Sequence, residues 1–228
     1  SYYEHLENVL HSGTDGDILT KPTFRSSALF PVMQVPGKIS TRLIYFGYWI
    51  LKRHIKEVTC VATLRAEPGN VLIRHVHTIH SPLSFRVELS DLMRAAGLSV
   101  EAPFIGSIEL EFFSTKHLVY PFPAAAINYY GETFSTVVHT AQRVYNDAED
   151  REANSKTLVP ESGFNLYADK YKEPFISFVN GPHAVVNFLM EMEFINSENE
   201  RMSETLLIEQ LAPYQTHYFY PARHYALE

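Results

Sequence analysis

The chain has 228 residues, 46% of them hydrophobic, which is enough apolar material for one large all-β domain or two sandwich-sized units. Its formal net charge of −7 argues against nucleic acid as a partner, because nucleic-acid binders normally present a basic surface. A single cysteine, Cys60, excludes an intrachain disulfide framework, and no apolar run approaches the roughly 20 residues that span a bilayer.

Residues 1–40 are predicted to form a short N-terminal helix and an extended edge segment. Tyr3, Leu6 and Leu10 stand at helical spacing. The stretch 18–39 contains three prolines, and proline cannot donate a hydrogen bond to a neighbouring strand. We therefore expect edge strands and loops in that stretch.

Four strands are predicted next, and they are expected at 42–50, 57–65, 71–80 and 83–89. The first is aromatic and contains Trp49. The second and third are separated by Glu67-Pro68-Gly69-Asn70, which is typical of a tight turn, so these strands are predicted to pair as a hairpin. The short basic run at 52–56 is interpreted as a solvated strand end.

A short helix and another strand follow. Ser90 is suited to cap a helix N-terminus and Gly97 to end it in the left-handed conformation, which predicts about two helical turns. The strand predicted at 106–113 places Glu109 and Glu111 on the face opposite its apolar residues. Acids at this spacing are typical of a solvent-facing strand surface.

The polar stretch 147–156 is the best candidate for a boundary between two units. Further strands are predicted at 133–146, 163–169, 173–180, 184–194 and 203–211. We expect a first β-sandwich unit at 41–146 and a second at 157–226, with a single large β domain at 18–226 as the alternative.

An internal repeat would account for two successive units. When 58–82 is set over 188–212, an apolar alternating strand, a polar turn and a second strand coincide in both segments. Residue identity across the match is almost absent, so two unrelated runs of hairpins stay the alternative. The expected fold class is all-β, as one sandwich or two tandem sandwich-like units with one or two short helices.

Three histidines form the best candidate metal site. His75 and His77 lie two residues apart on a predicted strand, so their imidazoles project from one face. That arrangement suits one divalent transition metal, with His139 as the candidate third imidazole and Glu109 or Glu111 as candidate carboxylates. The alternative is strand histidines that make ordinary hydrogen bonds and bind no metal.

The spacing Gly69-x5-His75-x-His77 resembles the first half of the metal-binding motif of cupins, a jelly-roll superfamily. The resemblance implies a metal-dependent jelly-roll enzyme. Where that motif places its next glutamate this chain has Ser81 or Pro82, and no second histidine motif follows.

Tyrosines near predicted turns form the best candidate binding surface, and they are Tyr129, Tyr130, Tyr218 and Tyr220. A tyrosine combines an apolar ring with a polar tip, so these residues could present a platform to a carbohydrate or a protein, or else fill the core. No phosphate-binding glycine loop, nucleophile elbow or metalloprotease motif occurs.

We therefore expect a binding or assembly module without enzymatic activity or cofactor, which recognises a protein or a carbohydrate. The alternatives are the metal-dependent enzyme and a structural subunit that associates with itself through exposed strands. The single cysteine favours the cytoplasm, and export after removal of a signal peptide is also compatible with the sequence.

Overall fold

The computed structural model describes residues 22–120, 122–139, 175–195 and 199–221. These residues form antiparallel strands and two short helices, which confirms the all-β prediction. The predicted N-terminal helix, the polar stretch 147–156 and the strand at 163–169 lie outside the described residues.

The first eight strands are β1 (Arg25–Gln34), β2 (Ser40–Phe46), β3 (Val58–Ala66), β4 (Val71–Ile79), β5 (Ser84–Glu88), β6 (Phe104–Phe113), β7 (Ala125–Tyr130) and β8 (Ser135–Val138). The later strands are β9 (Ile176–Val179), β10 (Val185–Ile195), β11 (Arg201–Leu211) and β12 (Thr216–Phe219). The helices are α1 (Tyr48–Lys52) and α2 (Leu89–Ala95). Neither described helix has the length or the apolar run that crossing a membrane requires.

Strands β1 to β8 build two four-stranded sheets that pack face to face as a sandwich. Sheet 1 has the strand order β1-β6-β3-β4, and sheet 2 has the order β5-β2-β7-β8. Alternate residues of β3 are completely buried, and they are Val58, Cys60, Ala62 and Leu64. They share one core with inward-facing residues of sheet 2 such as Leu43 and Ile127. The alternation in the sequence therefore marks the inner face of a sandwich.

The aromatic strand predicted at 42–50 is shorter than expected, because β2 ends before Gly47 and α1 follows it. A Cβ atom at Gly47 would lie 2.6 Å from the carbonyl oxygen of Ser81, so only glycine allows this close approach of two chain segments. The helical turn buries Trp49 completely. The prediction of a continuous strand through Trp49 is wrong.

Helix α2 is present where a short helix was predicted, but its first turn differs. Glu88 occupies the N-cap position and Ser90 already lies inside the helix, so the prediction that Ser90 is the capping residue is wrong. Gly97 follows the helix in the left-handed conformation, with a φ of +74°, and so ends it as predicted. The amide of Leu98 donates to the carbonyl oxygen of Met93 at 2.8 Å.

Strands β9 to β12 form two separate two-stranded ribbons within the described residues, β9 with β12 and β10 with β11. The turn between β11 and β12 lies on the outer face of sheet 1, where Tyr214 packs against Leu29 and Val179. The amide of Thr216 donates to the carbonyl oxygen of Glu67 at 2.9 Å. The base of both ribbons is therefore attached at the end of the sandwich that carries the β3–β4 turn.

The two segments matched in the suggested repeat are both antiparallel hairpins, β3–β4 and β10–β11. Their surroundings differ, since β3 also pairs with β6, whereas β10 and β11 pair only with each other among the described strands. The repeat itself stays a prediction.

Candidate functional site

His75 and His77 lie on the inner face of β4, an edge strand of sheet 1. The β3–β4 register places His75 opposite Ala62 and His77 opposite Cys60, so both imidazoles share one face, as predicted. Their ring centroids lie 6.1 Å apart. His75 is exposed, whereas His77 is half-buried at the rim of the sandwich.

A hydrogen bond from Tyr45 of β2 holds the imidazole of His77. Burial raises the pKa of Tyr45 far above its ordinary value. Its hydroxyl therefore stays protonated and donates the hydrogen bond to Nε2 of His77. Burial, and secondarily the neighbouring His75, lowers the pKa of His77, which favours the neutral imidazole that accepts this bond. Phe85 of β5 stacks on Tyr45 with ring centroids 5.4 Å apart and flanks the pair.

Cys60 lies beside this hydrogen bond and is completely buried. Burial raises the pKa of its thiol to about 12, and a hydrogen bond with Tyr45 opposes that rise only in part. A thiol with so high a pKa is not a nucleophile near neutral pH, so Cys60 behaves as a small buried hydrophobic residue.

The other predicted metal ligands lie apart from His75 and His77. His139 directly follows β8, the strand of sheet 2 farthest from β5, and it is exposed. Glu109 and Glu111 project from the outer face of sheet 1, whereas the two histidines project from its inner face. Among the described residues no group of three or more histidine, cysteine or acidic side chains could hold a metal ion.

Three of the four predicted binding tyrosines converge on Phe175. The ring centroids of Tyr129, Tyr218 and Tyr220 lie 5.8, 5.4 and 5.9 Å from the Phe175 centroid. Tyr129 is 8% exposed, and its hydroxyl donates to the carbonyl oxygen of Pro31 at 2.6 Å. This arrangement favours the interpretation in which these tyrosines fill the core.

Tyr130 lies on the outer face of sheet 2, away from the other three tyrosines. The guanidinium carbon of Arg42 lies 3.8 Å from its ring centroid, and its hydroxyl donates to Glu88 at 3.0 Å. One face of the Tyr130 ring is therefore covered by Arg42.

Glu109 and Glu111 share a face of β6, as predicted, but Glu109 is 3% exposed. Its carboxylate accepts hydrogen bonds from Arg25 at 3.1 Å and Arg65 at 3.0 Å. Burial raises the pKa of Glu109 and the two guanidinium groups oppose that rise. Tyr214 lies over Arg65, with the guanidinium carbon 3.9 Å from its ring centroid. The prediction of a solvent-facing surface is wrong for Glu109, because the turn after β11 covers this face.

The β10–β11 hairpin, here called the arm, carries an exposed apolar pair that sequence reasoning missed. Leu189 and Leu207 lie directly opposite each other in the ladder and are 58% and 52% exposed. The sequence signal is the run Leu206-Leu207-Ile208, since adjacent apolar residues place hydrophobic side chains on both faces of a strand.

Acidic residues border this apolar pair. Glu191 and Glu193 lie on the same face of β10 as Leu189, and Glu209 lies on the same face of β11 as Leu207. All three glutamates are exposed. We call these five residues the arm face, an apolar pair with acids on either side.

An open depression of about 490 Å³ lies between β11 and β12. Its ionisable lining residues include Glu209 and His217, and the remainder of the lining is largely apolar. The depression is open to one side, whereas ligand pockets usually bury most of a small ligand's surface.

Comparisons with protein-family models, with curated proteins and with solved structures find no match for this chain. The geometry of the described residues is therefore the basis for assigning a function.

Proposed function

We propose that this chain is a non-enzymatic assembly module that binds another protein through the arm. The observation that carries the proposal is a hairpin of two 11-residue strands that pair only with each other among the described strands. A two-stranded hairpin is marginally stable on its own in water, and exposed apolar patches mark sites of protein contact. A partner that covers Leu189 and Leu207 would supply the burial that this hairpin lacks.

The partner is a protein surface with an apolar centre and a basic rim. The two leucines require apolar contact, and Glu191, Glu193 and Glu209 favour lysine or arginine around that contact. A carbohydrate fits this surface less well, because sugars stack on aromatic rings and the arm face has only aliphatic and acidic side chains.

Other exposed apolar residues provide a matched comparison. Val76 of β4 and Val137 of β8 are 57% and 59% exposed, close to the exposure of Leu189 and Leu207. They belong to different sheets, and an exposed valine on a sheet is ordinary for a protein surface and does not by itself indicate a contact site.

Site-specific photocrosslinking in the cells that produce the protein tests the proposal. With p-benzoylphenylalanine in place of Leu189, we expect a light-dependent adduct with one protein, mapped by mass spectrometry to a surface rich in lysine or arginine. The same group in place of Val76 is the control and should give no such adduct. The adduct should disappear when Leu207→Glu is added, because the apolar contact is then broken. Equal crosslinking at both positions, or an adduct that survives Leu207→Glu, would contradict an arm-mediated contact.

A further inference from the structure

A second exposed apolar surface surrounds helix α1. Leu51, Tyr120 and Phe122 are 48%, 43% and 54% exposed. The rings of Tyr120 and Phe122 lie close together, with centroids 6.4 Å apart, and Tyr120 also neighbours Tyr48 of α1 at 6.5 Å. One exposed hydrophobic residue, Leu51, therefore lies on α1 itself, and the other two lie in the segment 120–122 that contacts α1 through Tyr48.

Basic residues accompany this apolar surface. Lys52 and Lys56 are exposed, and Arg53 between them is half-buried. The acid of the same segment is Glu57, so the charge of residues 51–57 is positive overall. We call the lysines together with Leu51, Tyr120 and Phe122 the α1 patch, an apolar surface with a basic border.

The arm face and the α1 patch complement each other in their apolar centres and in their surrounding charge. Each has a centre of large hydrophobic side chains, and the charges around those centres have opposite sign. Opposite charge around an apolar contact selects and orients a partner. The basic, apolar surface that the arm requires is therefore present on the chain itself.

The base of the arm and helix α1 lie at opposite ends of the β3–β4 hairpin. The base of the arm is attached beside the β3–β4 turn, where a Cβ atom on Gly69 would lie 2.1 Å from the carbonyl oxygen of Pro213. Helix α1 precedes the start of β3, where Val58 pairs with Ile79. Nine residues of extended strand separate these ends by about 30 Å. A contact between the arm of one copy and the α1 patch of the next would repeat from head to tail.

We propose that the arm face docks on the α1 patch of a second copy, so that the chain assembles head to tail. This inference rests on the proposed function, since it names the surface that the arm binds. Such a contact uses a different surface on each of the two copies it joins, so an open assembly keeps one unoccupied arm at one end and one unoccupied patch at the other.

Charge reversal with purified full-length protein tests the inference. One variant, Lys52→Glu/Lys56→Glu, makes the patch acidic, and the other, Glu191→Lys/Glu193→Lys, makes the arm basic. By sedimentation velocity over a range of concentrations, each variant alone should associate at least about tenfold more weakly than the unsubstituted chain, because like charges then meet. An equimolar mixture should recover association, because the basic arm meets the acidic patch while the original arm meets the original patch.

The outcomes separate the inference from the proposed function. If the Lys52→Glu/Lys56→Glu variant associates as the unsubstituted chain does, or if the mixture shows no recovery, docking on the α1 patch is overturned. A purified chain that stays monomeric, together with an adduct at position 189 to a different protein, overturns the head-to-tail contact and leaves the proposed function standing. All four substituted residues are exposed, and circular dichroism with thermal melting verifies the fold of each variant. Phe122→Ser tests the same patch without a change of charge and should also weaken association.

Discussion

The β3–β4 hairpin and the β10–β11 arm have the same local design and opposite surroundings. In β3 the inward residues Cys60 and Leu64 are completely buried, because sheet 2 covers them and β6 pairs along the other edge. In the arm, Leu189 and Leu207 are more than half exposed, and no other described strand pairs with either edge. Alternation and a polar turn are enough to form a hairpin in both places, but the neighbouring layers determine whether it becomes core or contact surface.

The largest expected effect concerns a buried acid of β6, the strand beside β3, compared with an exposed acid of the arm. Glu109→Gln should lower the free energy of unfolding by about 3–5 kcal/mol, because it leaves the buried Arg65 without its carboxylate partner, while Arg25 keeps its ion pair with Glu111. The measurement is equilibrium denaturation in urea. Glu191→Gln is the matched change on the exposed arm and should stay within about 0.5 kcal/mol of the unsubstituted chain. Similar losses in both variants would show that burial does not distinguish the two acids.

The leucines of the two hairpins should differ in the same sense. Leu64→Ala removes a completely buried side chain and should cost about 2–5 kcal/mol of unfolding free energy. Leu207→Ala removes a side chain that is 52% exposed and should change stability by about 0.5 kcal/mol or less, while weakening association. Denaturation and sedimentation of the same two proteins test both statements. A large loss of stability in Leu207→Ala would mean that the arm face is buried within its own chain.

The hairpin at β3–β4 was predictable because its pattern is local: alternation on both sides of Pro68-Gly69. The helical turn at Trp49 was not, since it follows from the close approach of Gly47 to Ser81, which are far apart in sequence. Distance along the chain also explains the error at Glu109. The turn that covers its face lies about a hundred residues later and leaves no trace in the local spacing.

The shared face of His75 and His77 was predictable for the same local reason, whereas the partner of His77 was not. Tyr45 comes from β2 in the other sheet, and only the packing of the sheets brings it to Nε2. The separation of His139 from these two histidines likewise depends on strand order, which spacing does not contain. Sequence periodicity therefore assigns side chains to faces, and long-range packing assigns their partners.

A smaller effect is expected at the hydrogen bond that joins the two sheets. Tyr45→Phe should lower the unfolding free energy by about 0.5–1.5 kcal/mol, because the ring stays packed on Phe85 while the bond to His77 is lost. Tyr130→Phe, which removes a hydroxyl bonded to Glu88 on the outer face of sheet 2, is the comparison. Urea denaturation measures both, and a neutral effect of Tyr45→Phe would remove the structural role assigned to His77.

The smallest expected effect is a pH dependence that the β3–β4 hairpin has and the arm lacks. Burial, and secondarily His75, lowers the pKa of His77 in the folded chain, so as the pH falls the unfolded chain takes up the proton first. The stabilisation that depends on neutral His77 is therefore complete above about pH 6.5, the ordinary histidine value, and is lost as the pH falls through the lower folded pKa. Urea denaturation between pH 5 and 8 measures this loss of unfolding free energy. We expect the loss to be smaller in His77→Phe than in the unsubstituted chain.

Leu207→His places a histidine at the position of the arm that the suggested repeat matches to His77. Because the side chain at position 207 is largely exposed, the new imidazole meets little desolvation, and the change should add no further loss of stability at low pH. A pH dependence that His77→Phe leaves unchanged would instead place the proton uptake at other groups, such as His217, whose pKa is also lowered by burial. The same titration on His217→Phe would then identify the responsible residue.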